Sequence, residues 1–146
     1  MKQKLKLYLS ILTVICLVIT MLSTTKIYGN DIMPLYDNIS KSNLTTSVDS
    51  NGILKITYNI VCNPNSTSKI VITTYFEQKY LGLFWQRVDT GSPNDEWVST
   101  IYNYTYNGTR TFTLPETGTY RTTVIYQVYG TNGSIEQVTC QKEVTY

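Results

Sequence analysis

The chain has 146 residues with 42% hydrophobic and 12% aromatic content, and a formal net charge of +2, so it holds one domain and a targeting segment. Twelve basic residues face ten acidic ones, but four of the basic residues lie before Asn30 and all ten acids lie after it; beyond residue 29 eight basic residues meet ten acidic ones, a net charge of −2. No Lys/Arg stripe remains to neutralise phosphates, which sets nucleic-acid binding aside. The chain has no His, which excludes Ser-His-Asp and Cys-His catalysis and the usual zinc sites.

Lys2, Lys4 and Lys6 precede an uncharged run from Leu7 to Leu22, followed by Ser23-Thr24-Thr25. A basic start, a short apolar middle and a polar exit describe a secretory signal peptide, expected as a helix over 1–29 with Gly29 the last residue removed. The run spans about 24 Å as a helix against roughly 30 Å of bilayer core, so cleavage and secretion are expected. A membrane anchor made by an uncleaved leader is the alternative, and the leader would be the chain's one membrane contact. Cys16 follows the bulky Ile15 and reads as a small hydrophobe of the leader rather than a lipidation site.

Residues 30–43 are rich in Asp, Asn and Ser and read as an extended lead-in to a domain over 44–146. A first short strand is expected at Leu44–Val48, then a turn at Asp49-Ser50-Asn51-Gly52, because Asn-Gly accepts positive φ cheaply. Ile53–Cys62 alternates cleanly, with Leu54, Ile56, Tyr58, Ile60 and Cys62 on one face and Lys55, Thr57 and Asn59 on the other. Asn63-Pro64-Asn65-Ser66 ends it. The next strand, Lys69–Gln78, should bury Ile70, Ile72 and Phe76, and Tyr80–Leu83 should form a hairpin tip around Gly82. Trp85–Thr90 returns, with a bulge if Trp85 and Val88 both point inward. Trp97–Tyr106 and Thr109–Leu114 flank Asn107-Gly108, a hairpin signal; one long strand bent at the glycine is the alternative. Gly118–Val128 carries Tyr120, Thr122, Val124, Tyr126 and Val128 on one parity and is expected to be the central strand. Gly130-Thr131-Asn132-Gly133 then turns the chain into a last strand with Val138, Cys140 and Val144 on one face. Seven or eight short strands without helical periodicity make an all-β, two-sheet antiparallel sandwich the economical fold.

Pro115-Glu116-Thr117-Gly118-Thr119-Tyr120-Arg121-Thr122 resembles the segment around the tyrosine corner of immunoglobulin-type domains, where Gly-x-Tyr opens the central strand. Thr122 stands where antibody domains carry their second Cys. Ile32-Met33-Pro34-Leu35-Tyr36, the Trp85-x-x-Val88 pair and Gly118-Thr119-Tyr120-Arg121 together resemble small exported immunoglobulin-like sandwich proteins of clostridia-type, Gram-positive bacteria. The resemblance implies the fold and export, and no activity. In immunoglobulin connectivity Cys62 ends the second strand, whereas Cys140 lies some 20 Å down the last one at roughly 3.3 Å per residue. An even pair in an exported chain invites a disulfide, but one needs Cα atoms within about 7 Å, so free thiols are the preferred reading and a Cys62–Cys140 bond the alternative.

Two strings look like chemistry. Asp89-Thr90-Gly91-Ser92 resembles the catalytic loop of aspartic proteases, which needs two carboxylates sharing a proton and hence a homodimer here. Gln86 and Arg87 replace the apolar strand that should lead into it, so a turn is the preferred reading and the protease a remote alternative. Leu114-Pro115-Glu116-Thr117-Gly118 matches the sortase signal, but Thr119–Tyr146 is too polar for the membrane run that must follow. Six Asn-x-Ser/Thr sequons, at Asn38, Asn43, Asn65, Asn103, Asn107 and Asn132, are read as chance in a chain this rich in Asn, Ser and Thr.

No catalytic residues, cofactor-binding residues or metal ligands are assigned, and no enzyme activity is expected. The expected function is that of a secreted, non-catalytic module that binds a protein or a cell surface through Tyr80, Leu81, Leu83 and Phe84. Large apolar residues stand there at a hairpin tip where polar ones are the norm. The alternative is a carbohydrate-binding module that stacks sugars on Trp97 and a row formed by Tyr102, Tyr104 and Tyr106.

Overall fold

The computed structural model describes residues 36–146. The expected signal peptide (1–29), Cys16, the first part of the lead-in and the Ile32–Leu35 portion of the resemblance lie outside the described residues. The described chain is all-β, with two antiparallel sheets of three and five strands. The strands are β1 (Ile39–Val48), β2 (Ile53–Cys62), β3 (Thr67–Tyr80), β4 (Phe84–Arg87), β5 (Trp97–Ile101), β6 (Thr105–Thr113), β7 (Thr119–Gly130) and β8 (Ile135–Thr145). The first sheet has the order β1-β2-β6, and the second β4-β3-β7-β8, with β5 paired to β3 as well. β4 and β5 share one edge of β3, β4 against Glu77–Tyr80 and β5 against Ile70–Thr74.

The sheets face each other across one apolar layer, as period-two alternation requires when each has one face to bury. β2 contributes Leu54, Ile56, Tyr58, Ile60 and Cys62, and β3 contributes Ile70, Ile72 and Phe76. β7 contributes Tyr120, Val124, Tyr126 and Val128, all without exposed surface. Phe76 of the second sheet stacks on Phe112 of the first at 4.6 Å between ring centroids, with planes 2° apart. Two hydrogen bonds donated by buried side chains cross the same layer, whereas the buried Thr122 hydroxyl has no partner. Tyr126 Oη donates to the Asn43 carbonyl at 3.2 Å, and Thr74 Oγ1 donates to Tyr58 Oη at 3.3 Å. Tyr120 Oη donates to the Glu116 carbonyl at 2.7 Å, tying the connection before β7 to the strand's own start.

β1 starts at Ile39, five residues before the expected Leu44, so part of the expected lead-in belongs to the sheet. Alternation is poor in Ile39–Asn43, and a long-range clamp holds the strand instead. The Glu136 carboxylate of β8 accepts from the backbone N–H groups of Asp37, Asn38 and Ile39 at 3.0–3.2 Å and from Asn38 Nδ2 at 2.8 Å. Charge-assisted bonds of this kind are among the stronger ones available to a backbone. Asn38 is buried, and Ser66 Oγ donates to its Oδ1 at 2.5 Å. The first sequon is therefore part of the packed structure.

The expected hairpin at Asn107-Gly108 does not form: β6 runs straight through it, with Tyr58 opposite Gly108 and Asn59 opposite Asn107. Gly108 is required for another reason. A Cβ there would collide with the ring and hydroxyl of Tyr106, which folds over the glycine on the same strand. The chain breaks earlier, at Tyr102–Tyr104, where it crosses from β5 in the second sheet to β6 in the first. The anticipated bulge in β4 is absent as well. The β3–β4 register is regular, so Trp85 and Val88 lie on opposite faces, Trp85 outward and Val88 buried.

Cys62 and Cys140 are free thiols. Burial, with the Glu136 carboxylate adding to it, pushes the Cys62 thiol up to about 11. Burial also raises that of Cys140, whose Sγ donates to Ser42 Oγ at 3.9 Å.

Candidate functional site

The β3–β4 hairpin projects four large apolar side chains into solvent. Tyr80, Leu81, Leu83 and Phe84 are 57%, 73%, 73% and 60% exposed. Leu83 N–H donates to the Tyr80 carbonyl at 3.0 Å, and Leu81 and Gly82 have φ of 51° and 68°. The connection is the three residues Leu81–Leu83, since Tyr80 pairs with Phe84, and positive φ at both central positions of the Tyr80–Leu83 turn is a conformation that Asn-Gly or Gly-Gly would normally fill. Leu81 occupies a left-handed conformation that costs an L-residue about 1–2 kcal/mol, and it places its side chain in solvent. The expectation that these residues stand at a tip is met; they do not fold back to plug the core.

Below the tip the outer face of the hairpin is stiffened. Arg121 Nε and Nη2 both donate to Glu77 Oε2, at 2.9 and 2.8 Å. The Arg121 guanidinium also lies 4.3 Å from the Trp85 ring centroid. Arg87 stacks on Tyr75 at 3.5 Å and reaches Glu96 at 3.4 Å. Such planar stacking of arginine on aromatic rings suits a pre-organised support. The tip is thus presented on a braced arm.

The tyrosine row is not formed. Tyr102 and Tyr104 lie in the crossing between sheets, Tyr102 82% exposed, while Tyr106 on β6 turns inward against the core. Spacing two aligns side chains only within one strand, and this segment is interrupted. Trp97 is better placed. It opens β5, meets Phe76 edge-on at 5.1 Å and Phe112 at 5.7 Å, and is only half-buried. Beside it lies Arg110, which the sequence reading did not single out. Arg110 occupies an inward-facing position of β6, between Gly108 and Phe112, with its guanidinium 5.4 Å from the Trp97 ring centroid. A charged residue on the apolar parity of a strand was the signal available.

Trp97 and Arg110 together line three adjoining recesses at the side of the molecule where β5 and β6 are edges. One is a small pit reaching Tyr58 and Thr74. The second is a cleft of about 430 Å³ walled by Ser92–Asn94, Glu96 and Val98. The third is a hollow of about 320 Å³ against Thr111.

The remaining motifs resolve into turns. Asp89 is exposed, and its Oδ1 accepts from Gly91 N–H at 2.7 Å, an Asx turn. The Leu114–Gly118 string is the connection between β6 and β7. Leu114 is buried, and Gly118 exchanges backbone hydrogen bonds with Tyr146 at 3.1 and 2.9 Å. Among the described residues no three His, Cys, Asp or Glu side chains come together as a metal site would need. No protein-family model and no curated protein matches the chain.

Proposed function

We propose that the chain is an exported, non-catalytic, immunoglobulin-like sandwich that binds a partner at the bacterial surface or in the medium through the β3–β4 tip. The observation that carries this reading is the exposure of four large side chains, two on either side of Gly82, one of them in a conformation leucine rarely adopts. Backbone strain at an exposed apolar residue is a cost without structural return, and such costs cluster where a ligand is held. Fully burying a side chain of this size is worth about 1.5–3 kcal/mol, so covering most of four yields on the order of 4–8 kcal/mol before the cost of association. That supports reversible attachment, and the braced arm keeps the ordering cost low.

What supports the immunoglobulin-like assignment is the strand order. β1-β2-β6 opposite β3-β7-β8 corresponds to the A-B-E and C-F-G sets of that fold, and Tyr120 makes the hydrogen bond of a tyrosine corner. Kinship with small exported proteins of clostridia-type bacteria rests on the motif resemblance and on the basic, apolar and polar succession of the leader.

The experiment is the triple substitution Leu81→Ser, Leu83→Ser and Phe84→Ser. Melting temperature and β-sheet circular dichroism should stay as in the parent, while capture of partners from culture supernatant and washed cells is lost. Unchanged capture, or an unfolded triple variant, would remove the tip from the proposal. A second reading, a carbohydrate-binding module, keeps one favourable observation after the loss of the tyrosine row: Trp97 borders an open cleft beside the Arg110 guanidinium, which has no ion-pair partner among the described residues.

A further inference from the structure

We infer that the Trp97–Arg110 cleft is a binding site for a carboxylate-bearing sugar, a hexuronate unit within an oligosaccharide. The inference rests on the second reading above and names its ligand class. Of the arginines beyond the leader, Arg87 is paired with Glu96 and Arg121 with Glu77, whereas Arg110 has no carboxylate partner among the described residues. Its planar fork of donors matches a carboxylate with two parallel bonds, a fit an ammonium cannot reproduce. Glu96, which also walls the cleft, is countered by Arg87 at 3.4 Å. Asp95, next in the chain, spends its Oδ1 on Thr90 N–H at 3.4 Å. Asp95 keeps its negative charge but does not line the cleft; of the charged side chains that do, Glu96 is ion-paired and Arg110 is without an ion-pair partner among the described residues.

The rest of the wall suits a ring. The edge-on contacts of Phe76 and Phe112 hold the Trp97 indole, and Val98 beside it is 60% exposed. A sugar offers an apolar face of C–H groups to such an indole and hydroxyls to the cleft rim. The rim is shaped by Asn94 and Asp95, both left-handed at φ of 57° and 54°, and is closed by Asp95 N–H donating to the Ser92 carbonyl at 3.0 Å. A volume of about 430 Å³ falls in the range of small-ligand clefts.

The test titrates the intact protein with trigalacturonate and with its neutral counterpart, trigalactose, read by the indole N–H resonance of Trp97. The acidic trimer should bind at least tenfold more tightly, with shifts confined to Trp97, Val98 and the Arg110 Nε–H. Arg110→Ala should erase the preference, and Arg110→Lys, which keeps the charge but not the fork, should restore only a small part of it. Equal affinity for the two trimers sinks the acidic assignment and leaves the glycan reading standing. Binding of neither sinks both, and Arg110 is then only the inward charge that keeps an edge strand from pairing with another copy. Shifts that map elsewhere on the unsubstituted protein overturn the site even if Arg110→Ala does not fold.

Discussion

Phe76 and Phe84 belong to the same hairpin and meet opposite fates. Phe76 has no exposed surface, stacked on Phe112 and edge-on to Trp97, while Phe84 is 60% exposed beside Leu83 and Leu81. The difference is whether a second sheet lies opposite. Phe76 is on the inner parity of β3 where β6 faces it; Phe84 stands past the reach of the first sheet, at the arm's end. Hydrophobicity says that a residue gains by being covered, and the topology decides what is available to cover it. At the tip nothing within the described domain does so.

The comparison can be broken most directly by truncating both rings. Phe76→Ala should destabilise the fold by about 3–5 kcal/mol, the usual cost of an aromatic-sized cavity, and Phe84→Ala by less than about 0.5 kcal/mol, as for a surface site. Equal losses in chemical denaturation would mean the tip is structural. A smaller effect sharpens the core side. The folded state holds the Cys62 proton up to about pH 11, whereas the unfolded chain releases it near 9. A pKa raised on folding contributes stability that is full below pH 9 and lost as pH climbs toward 11. Denaturation midpoints should therefore fall across that window, less steeply in Cys62→Val. Cys62 should resist alkylation at pH 8 until the protein is unfolded. The smallest effect sharpens the tip side. Leu81→Gly relieves the left-handed strain but loosens the unfolded chain, for a net gain of up to about 1 kcal/mol in thermal or denaturant unfolding. A clear loss of stability would show that Leu81 is held by contacts rather than exposed by the turn.

Strand periodicity was legible where a segment has one buried and one solvent face. Ile53–Cys62 was bounded correctly from its alternation, and β7 was placed at the centre of its sheet from five inward residues on one parity. Reading failed where long-range partners decide. Nothing in Ile39–Asn43 announces a strand, because the acceptor that fixes it, Glu136, lies at the other end of the domain. Asn107-Gly108 carried the local signature of a turn, yet pairing with β2 and the ring of Tyr106 hold it extended. The candidate sites divide the same way. The apolar tip was visible because turn residues there are polar by rule. Arg110 was overlooked because its meaning depends on Trp97, which reaches it only when β5 and β6, in different sheets, come side by side.

By itself, the order of residues determined the all-β class, the inner faces of the main strands and the unusual apolar tip, since these follow from neighbours two positions apart. The tertiary structure alone decided which strands share a sheet, that the tyrosines of the crossing part company and that Trp97 meets Arg110. Those facts depend on which sheet edges lie together, and an edge contact between residues far apart in the chain leaves no periodic trace in the sequence.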